Sequence, residues 1–316
     1  MSYAFGARRM ESESLLIDSI GCRKPIYSRE GLRLYDLFVD EEFPPVVETD
    51  GRLADVVGII YGAFGQAPPR FNHTPIATSR VDHNGKLLVV FSGGLDSAYV
   101  VLKALDEGYD VTLLHFRGLN SYMEPNESVF SSMFAEKYGL AYMEYTVHKK
   151  GHSHWSENPF KNQMLLMSAL DVCVERNIGN IALGSDYRTP ISESTVGLDI
   201  TDSLEVNEAI LTAMEGLVEG LSFYHTYGTR MDRYSYIEDN HPEAMECIYS
   251  CVLPSRFLKT TRERNESKYG VSLLPTMCGS CMKCCMEWLM LHELGLVGDN
   301  REFEAHCWET VGKPPY

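Results

Sequence analysis

The sequence contains no run of apolar residues that approaches the roughly 20 needed to cross a bilayer as a helix. Its first residues, MSYAFGARRMESES, are polar and lack the apolar centre of a secretory signal. We therefore expect a cytoplasmic protein without membrane association. Apolar residues still make up 44% of the 316 residues, which is enough for a sizeable core.

Positive charge is scarce, with 28 Lys and Arg against 44 Asp and Glu and a formal net charge of −16. Proteins that hold a nucleic-acid backbone normally present a basic stripe that displaces counterions from phosphates. The Lys- and Arg-rich segment SRFLKTTRERNESK is short and interrupted by acids. We interpret it as a solvated face, with a local substrate or phosphate contact as the alternative, and expect a small-molecule substrate rather than a nucleic acid.

The nine cysteines are an odd number, which argues against a framework of disulfides. Within CGSCMKCC, Cys278, Cys281 and Cys284 have the spacing CxxCxxC. Three such thiolates and a fourth ligand can close a tetrahedral Zn²⁺ site, so we predict a metal centre in a reducing compartment. The alternative is a set of small buried thiols, the interpretation that we keep for Cys22 and Cys173.

We predict Cys251, in IYSCVLPS, as the fourth ligand of this metal centre. The residues that we rank below it are Cys247, Cys285, His306 and Cys307. An iron–sulfur cluster is the competing occupant, but the bacterial ferredoxin run would need a cysteine where Trp288 stands.

The pattern of the chain predicts three parts, residues 1–85, 86–240 and 241–316. The first has weak periodicity and one predicted helix near GRLADVVGIIYGAFG, and we treat it as an extension of unknown role. The second alternates strands (KLLVVFSGG, YDVTLLHF, AYMEYTVH, IGNIALGSD) with helices (LDSAYVVLKALDEG, NESVFSSMFAEKYGL, QMLLMSALDVCVERN). This alternation predicts an α/β fold with a doubly wound, mostly parallel sheet, and a C-terminal zinc-binding helical segment follows it.

Ligands of such sheets bind at the carboxyl ends of the strands, where the sequence places SGGLDS. Gly93 and Gly94 let the backbone approach an anion at a helix N-terminus, and the hydroxyls of Ser92 and Ser97 can donate hydrogen bonds. Asp96 is a candidate ligand of a phosphate-bound Mg²⁺. The alternative is a structural turn with a helix-start carboxylate. The segment matches neither GxxxxGK(S/T) nor GxGxxG.

This segment resembles the SGGxDS motif of the PP-loop ATP pyrophosphatases, through Ser92, Gly93, Gly94, Asp96 and Ser97. The resemblance implies an adenine nucleotide alpha hydrolase-like fold and an enzyme that splits ATP between its α and β phosphates. AMP is then carried by a substrate oxygen until a nitrogen or sulfur nucleophile displaces it.

With its later CxxCxxC, the chain is similar in particular to the 7-cyano-7-deazaguanine synthases, which are QueC/ExsB-like proteins. The family's Ser-Cys pair matches Ser250-Cys251, and its loop before the third helix matches NPFKNQMLLMSAL, with Lys161 in place of the usual arginine. HFRGLNSYMEPNE departs from the family's D-Y-G-Q-type segment. The resemblance covers roughly residues 86 to 290.

The resemblance implies ATP, Mg²⁺ and Zn²⁺ as cofactors, with 7-carboxy-7-deazaguanine and ammonia as substrates of a homodimeric enzyme of queuosine-type biosynthesis. The candidate catalytic residues are Asp96, Ser97 and Lys161. The candidate nucleotide-binding residues are Phe91, Ser92, Gly93, Gly94, Leu95, Asp96, Ser97, His115, Asn162 and Gly184. The candidate metal ligands are Cys251, Cys278, Cys281 and Cys284, and either Asp186 or Asp202 is a candidate for the guanine-like edge.

Two other functions are compatible with the same motif. One is tRNA thiolation, which would need a basic RNA surface and either a persulfide cysteine or an iron–sulfur cluster. The other is a nucleotide-binding protein without catalysis. We interpret His152 and His154 as loop residues rather than a metal pair, and the aromatic residues of 222–236 as core or a dimer surface, with base stacking as the alternative.

Overall fold

The computed structural model of the chain describes residues 17–18, 26–28, 30, 43–117, 124–148, 161–184 and 204–312. The strands are β1 (Ile17–Asp18), β2 (Val46–Thr49), β3 (Arg70–His73), β4 (Ser79–Arg80), β5 (Lys86–Val90), β6 (Asp110–Arg117), β7 (Ala141–His148), β8 (Asn180–Leu183), β9 (Val218–Glu219) and β10 (Ser222–Phe223). The helices are α1 (Ala54–Ala63), α2 (Leu95–Asp106), α3 (Glu124–Tyr138), α4 (Lys161–Arg176), α5 (Leu204–Leu217), α6 (Arg230–Asn240), α7 (Ser255–Tyr269), α8 (Met282–Glu293) and α9 (Arg301–Val311).

A six-stranded sheet forms the centre of the fold, in the order β1-β7-β6-β5-β8-β10. Every neighbouring pair in it is parallel, and Val89 of β5 lies opposite Leu113 of β6 on one side and Ala182 of β8 on the other. After β5, the chain adds β6 and β7 on one side of it and then crosses to the other side, where β8 pairs with β5. This reversal between β5 and β8 is where doubly wound sheets bind ligands. The predicted α/β fold class is confirmed.

Both faces of the sheet are covered, which explains why β5 reads as a continuous apolar run. Leu88 and Val90 pack into a core with α1, α4 and α5. Leu87 and Val89 pack into a second core with α2, α3, α6 and α8. Burial of both faces removes the polar alternation that a half-exposed strand would show.

The part of the chain predicted as an N-terminal extension contributes to the first of these cores. Val57 and Ile60 of α1 are buried there, and β4 pairs with β9 in a small parallel sheet. Arg52, just before α1, donates to the carbonyl of Gly216 in α5 at 2.6 Å. The predicted divisions at residues 85 and 240 stay predictions.

Other expectations concern single elements. Cys173 is fully buried in α4, as expected of a small apolar side chain, and burial raises the pKa of its thiol. The basic segment forms α7, in which Arg256, Lys259 and Arg264 are exposed, as a solvated face requires. In the described part of the chain, every helix is too short or too polar to span a membrane.

Candidate active site and metal centre

The loop between β5 and α2 lies at the reversal point of the sheet. Gly93 has φ +78°, a left-handed conformation that glycine adopts without strain. Gly94 is the extended N-cap of α2, with φ −82° and ψ 168°. The N–H of Ala98 makes the first intrahelical bond, to the Gly94 carbonyl at 2.9 Å, so the N–H groups of residues 95–97 have no partner within the helix. These N–H groups can bind an anion at the positive end of the helix dipole.

The two serines of the motif occupy different environments. Ser92 is exposed, and its Oγ accepts a hydrogen bond from the N–H of Gly94 at 3.3 Å. Ser97 is buried, and its Oγ donates to the Gly94 carbonyl at 3.0 Å. The two hydroxyl oxygens are 3.2 Å apart. Ser92 is therefore accessible to a ligand, while Ser97 stabilises the turn into α2.

Two glycines allow the loop to pack against its neighbours. A Cβ on Gly184, directly after β8, would lie 2.3 Å from the backbone N of Ser97. A Cβ on Gly93 would lie 2.9 Å from the Oγ of Ser131, a buried residue of α3. Gly184 is thus the point where the chain after β8 meets the start of α2.

Three predicted nucleotide-binding residues support the loop from inside the protein. Phe91, Leu95 and His115 are all buried. Nδ1 of His115 donates to the Phe91 carbonyl at 2.9 Å, because a carbonyl only accepts, and Nε2 forms a hydrogen bond of 3.3 Å with the Ser128 hydroxyl. The ring of Phe91 packs on Phe134, with 5.0 Å between centroids. Their geometry is that of positioning residues, and contact with a nucleotide stays a prediction.

The remaining predicted residues are only partly described. Lys161 and Asn162 are the first two residues of α4, and Asn162 is half-buried. The side chain of Lys161 lies outside the described structure. The other predicted residues that lie outside the described ranges are Cys22, His152, His154, Asp186 and Asp202.

Asp96 forms an ion pair that the sequence did not indicate. Nη1 of Arg233, on α6, donates to Oδ1 of Asp96. Arg233 is buried, and its guanidinium carbon lies 5.8 Å from the ring centroid of Tyr99. No bond from a described residue is found at Oδ2 of Asp96, so this oxygen fits the carboxylate ligand that Mg²⁺ prefers. Arg233 was missed because it lies 137 residues from Asp96, in a segment whose aromatic residues we interpreted as core or a dimer surface.

The second candidate site is a group of four thiols. The Sγ atoms of Cys251, Cys278, Cys281 and Cys284 all lie within 4.8 Å of one another. The separation is 3.8 Å between Cys278 and Cys284 and 3.9 Å between Cys251 and Cys281. Tetrahedral bonds of about 2.3 Å to one zinc ion place sulfurs about 3.8 Å apart. The four sulfurs therefore fit one tetrahedral ion, without an open coordination position.

Backbone N–H groups point at these sulfurs, as a group of thiolates requires. Cys278 Sγ accepts from the N–H groups of Ser280 at 3.4 Å and Cys281 at 3.3 Å. Cys281 is the N-cap of α8 and its Sγ accepts from the N–H of Cys284 at 3.4 Å. Hydrogen bonds within the thiol group, that of Cys251 first, together with this N–H, hold the pKa of Cys281 far below its usual value.

The segment around Ser250 joins the thiol group to the loop between β5 and α2. The N–H of Tyr249 donates to the Gly93 carbonyl at 2.7 Å. On the other side, burial raises the pKa of Glu287 in α8, against hydrogen bonds with Ser250 and Tyr234 that lower it. Tyr234 belongs to α6, the helix that carries Arg233, so both sites share one supporting network.

A glycine-turned loop at the reversal point of a parallel sheet, beside a four-thiol group, is the arrangement that the sequence resemblance to PP-loop proteins implied. The family model described as queuosine biosynthesis protein QueC matches residues 86–149, from β5 to the end of β7. This match confirms the QueC-like resemblance for that segment, which is about a fifth of the chain.

One solved structure with similarity is a U34-tRNA thiolase, NcsA from Methanococcus maripaludis with its 4Fe-4S cluster. It is 17% identical over 54% of this chain and 70% of that chain, with a TM-score of 0.25. A likeness of this size does not bear on the fold of this chain, which is assigned from the strand order. No curated protein matches the chain.

Proposed function

We propose that this protein is an ATP-dependent ligase that adenylates a carboxylate and lets ammonia displace AMP, as in 7-cyano-7-deazaguanine synthesis. The observation that carries the proposal is the SGGLDS loop between β5 and α2, whose N–H groups at residues 95–97 are unpaired within the helix. The QueC match over residues 86–149 supports the same chemistry.

The loop residues would act on the departing pyrophosphate. Preorganised N–H donors stabilise the charge that develops on it, and they need no reorganisation during the reaction. Ser92 presents an accessible hydroxyl at the same place. Asp96 would hold Mg²⁺, which would supply further neutralisation of the phosphates. Lys161, at the start of α4, is the proposed second phosphate contact and keeps the positive charge of the usual arginine.

The proposed reaction has two stages, carboxylate to amide and amide to nitrile, and each stage consumes one ATP. A carboxylate oxygen attacks the α-phosphorus of ATP, and the bond to the bridging oxygen breaks with loss of pyrophosphate. Ammonia then attacks the acyl carbon, the bond to AMP breaks, and a proton leaves the nitrogen to give the amide. A second ATP adenylates the amide oxygen with loss of pyrophosphate, and the departure of AMP and of both protons from the nitrogen gives the nitrile.

The four-thiol centre would hold zinc in a structural role. All four positions of the tetrahedron are taken by Cys251, Cys278, Cys281 and Cys284, so none is left for substrate. A 4Fe-4S cluster places its own iron and sulfide atoms between the thiolates and would need them farther apart. The observed sulfur spacing thus favours the ligase over an iron–sulfur-dependent thiolase.

The test is incubation of purified protein with ATP, Mg²⁺, ammonium and 7-carboxy-7-deazaguanine, followed by mass spectrometry. The proposal predicts AMP, pyrophosphate, the amide and the nitrile, and one zinc ion per chain by elemental analysis. If the protein instead contains iron and transfers sulfur to tRNA, the ligase proposal is wrong and tRNA thiolation is the function. No AMP with this or any other carboxylate would favour a nucleotide-binding protein without catalysis.

A further inference from the structure

Arg233 is a buried cation for which the described residues accept only a small part of the hydrogen bonds that it can donate. Its side chain is 4% exposed, and Nη1 donates to Oδ1 of Asp96. Its Nε is fully buried and has no hydrogen-bond partner among the described residues. A buried charged group with unmade hydrogen bonds is unfavourable unless a ligand or another group completes them.

The hydrogen bonds of Arg52, an arginine with a structural role, provide a comparison for Arg233. Arg52 donates five hydrogen bonds, to the carboxylate of Asp50, to Thr78 and to two backbone carbonyls. All three of its nitrogens are paired, although its side chain is 28% exposed. Arg233 is more deeply buried than Arg52 and is far less satisfied. The contrast indicates that the surroundings of Arg233 are completed by something other than the residues that the structure describes.

The position of Arg233 identifies the chemistry of the missing partner. Its counter-ion, Asp96, is the second residue of α2, and the N–H of Asp96 is one of the unpaired groups of the anion loop. The guanidinium therefore contacts the side chain of a residue whose own backbone N–H is available to an anion. A guanidinium presents several donors in one plane and is suited to phosphate oxygens.

The helix that carries Arg233 is fixed to α2. Thr229 and Asp232 form a capping box at its start, and the hydroxyl of Tyr99, on α2, donates to the Tyr227 carbonyl at 3.2 Å. Arg233 also faces the Tyr99 ring. The guanidinium is thus held in place by packing and by Asp96, as a preorganised phosphate ligand would be.

We propose that Arg233 is a further phosphate-binding residue, which receives the pyrophosphate end of the nucleotide in the loop between β5 and α2. This inference rests on the proposed function. Asp96 has two roles in it, because Oδ1 orients the guanidinium and Oδ2 remains for Mg²⁺. The Nη hydrogens of Arg233 that have no partner among the described residues would then be donated to β- and γ-phosphate oxygens.

The test is calorimetric titration with inorganic pyrophosphate and with AMP, both in the presence of Mg²⁺. In Arg233→Met the dissociation constant for pyrophosphate should rise at least about tenfold, since charged hydrogen bonds are lost. In Arg233→Lys it should rise about threefold to tenfold, because the charge stays and the planar fork is lost. AMP lacks the β and γ phosphates, so its affinity should change less than about twofold in either variant.

The matched control is Arg264→Gln, which removes an exposed arginine from α7 and should bind pyrophosphate as the unmodified protein does. Circular dichroism and zinc content establish that each variant is folded, and Arg233→Lys decides the question if Arg233→Met does not fold. Equal pyrophosphate affinity in Arg233→Lys and the unmodified protein would overturn the inference and leave the proposed function standing. Failure of the unmodified protein to bind pyrophosphate would overturn both.

Discussion

The backbone N–H of Tyr249 donates to the carbonyl of Gly93 at 2.7 Å, and Tyr249 lies only two residues before Cys251. The phenol ring of Tyr249 stacks on Phe130, and its hydroxyl accepts from Asn126 at 2.8 Å. The same short segment thus supplies a sulfur to the four-thiol group and a hydrogen bond to the loop between β5 and α2. Because the carbonyl of Gly93 is fixed from outside the loop, the loop's conformation depends on the position of this segment.

Loss of the metal should therefore weaken phosphate binding at a distance. We expect Cys281→Ser to lose zinc and to raise the dissociation constant for Mg²⁺-pyrophosphate by at least about tenfold, because Cys251 is no longer anchored. Elemental analysis and calorimetry measure the two effects. Cys173→Ala changes a buried thiol outside the metal group and should keep both zinc and affinity. If a folded, zinc-free protein binds Mg²⁺-pyrophosphate as tightly as the unmodified protein, the two sites are not coupled.

The close contact at Gly184 predicts a severe effect of a single methyl group. A Cβ there would meet the backbone N of Ser97 at 2.3 Å, and backbone cannot move aside as a flexible side chain can. We expect Gly184→Ala to lower the free energy of unfolding by at least about 2 kcal/mol and to abolish pyrophosphate binding. Urea denaturation measures the first effect.

Gly58, in the middle of α1, is the matched control for that substitution, because a Cβ there would meet nothing within 4 Å. Gly58→Ala should be neutral or raise the free energy of unfolding by up to about 1 kcal/mol, since alanine favours the helix. If both variants unfold alike, the contact between Gly184 and α2 is not as close as described.

Asp96→Asn should abolish AMP formation, with at least about a hundredfold loss of rate, because the amide neither pairs with Arg233 as an anion nor holds Mg²⁺. Asparagine keeps the volume and an oxygen acceptor, so the fold should survive. Asp96→Ala is a harsher change, since it leaves the buried guanidinium without a counter-ion, at a cost of about 3 kcal/mol or more. The rate of AMP release is measured with ATP, Mg²⁺, ammonium and 7-carboxy-7-deazaguanine. The zinc content of each variant shows whether it is folded. Retention of the rate in Asp96→Asn would remove the carboxylate from the mechanism.

The pH dependence of stability should report on Asp50. Hydrogen bonds and charge from Arg52 hold the pKa of Asp50 well below its usual range, and the N–H of Ile76 adds to this. Because the native pKa is depressed, the stabilisation is present above the unfolded pKa of about 3.9 and is lost as the pH falls towards the native value.

We expect Asp50→Asn to lower the free energy of unfolding by about 1 to 3 kcal/mol at pH 7. The difference from the unmodified protein should shrink steadily below about pH 4. Denaturant titrations at several pH values measure this trend. A difference that does not vary with pH would mean that the Asp50 carboxylate is not the group responsible.

The parts of this architecture that follow from local pattern could be predicted, and those that depend on distant contacts could not. The strand, the turn and the helix around SGGLDS form one continuous segment, and its glycines and serines signal the turn directly. The grouping of Cys251 with the CxxCxxC cysteines followed from a residue pattern rather than from geometry. Arg233 gave no signal, because its partner is 137 residues away and its neighbours on α6 are aromatic. The incorporation of α1 into the core was missed for the same reason, since α5, on which it packs, comes much later in the chain.

The most direct measurement is a crystal structure with Mg²⁺ and an ATP analogue that cannot be cleaved between its α and β phosphates. The account predicts β- and γ-phosphate oxygens within hydrogen-bonding distance of the N–H groups of residues 95–97 and of the Arg233 guanidinium. A triphosphate bound elsewhere on the protein, with Arg233 still paired to Asp96 alone, would contradict it.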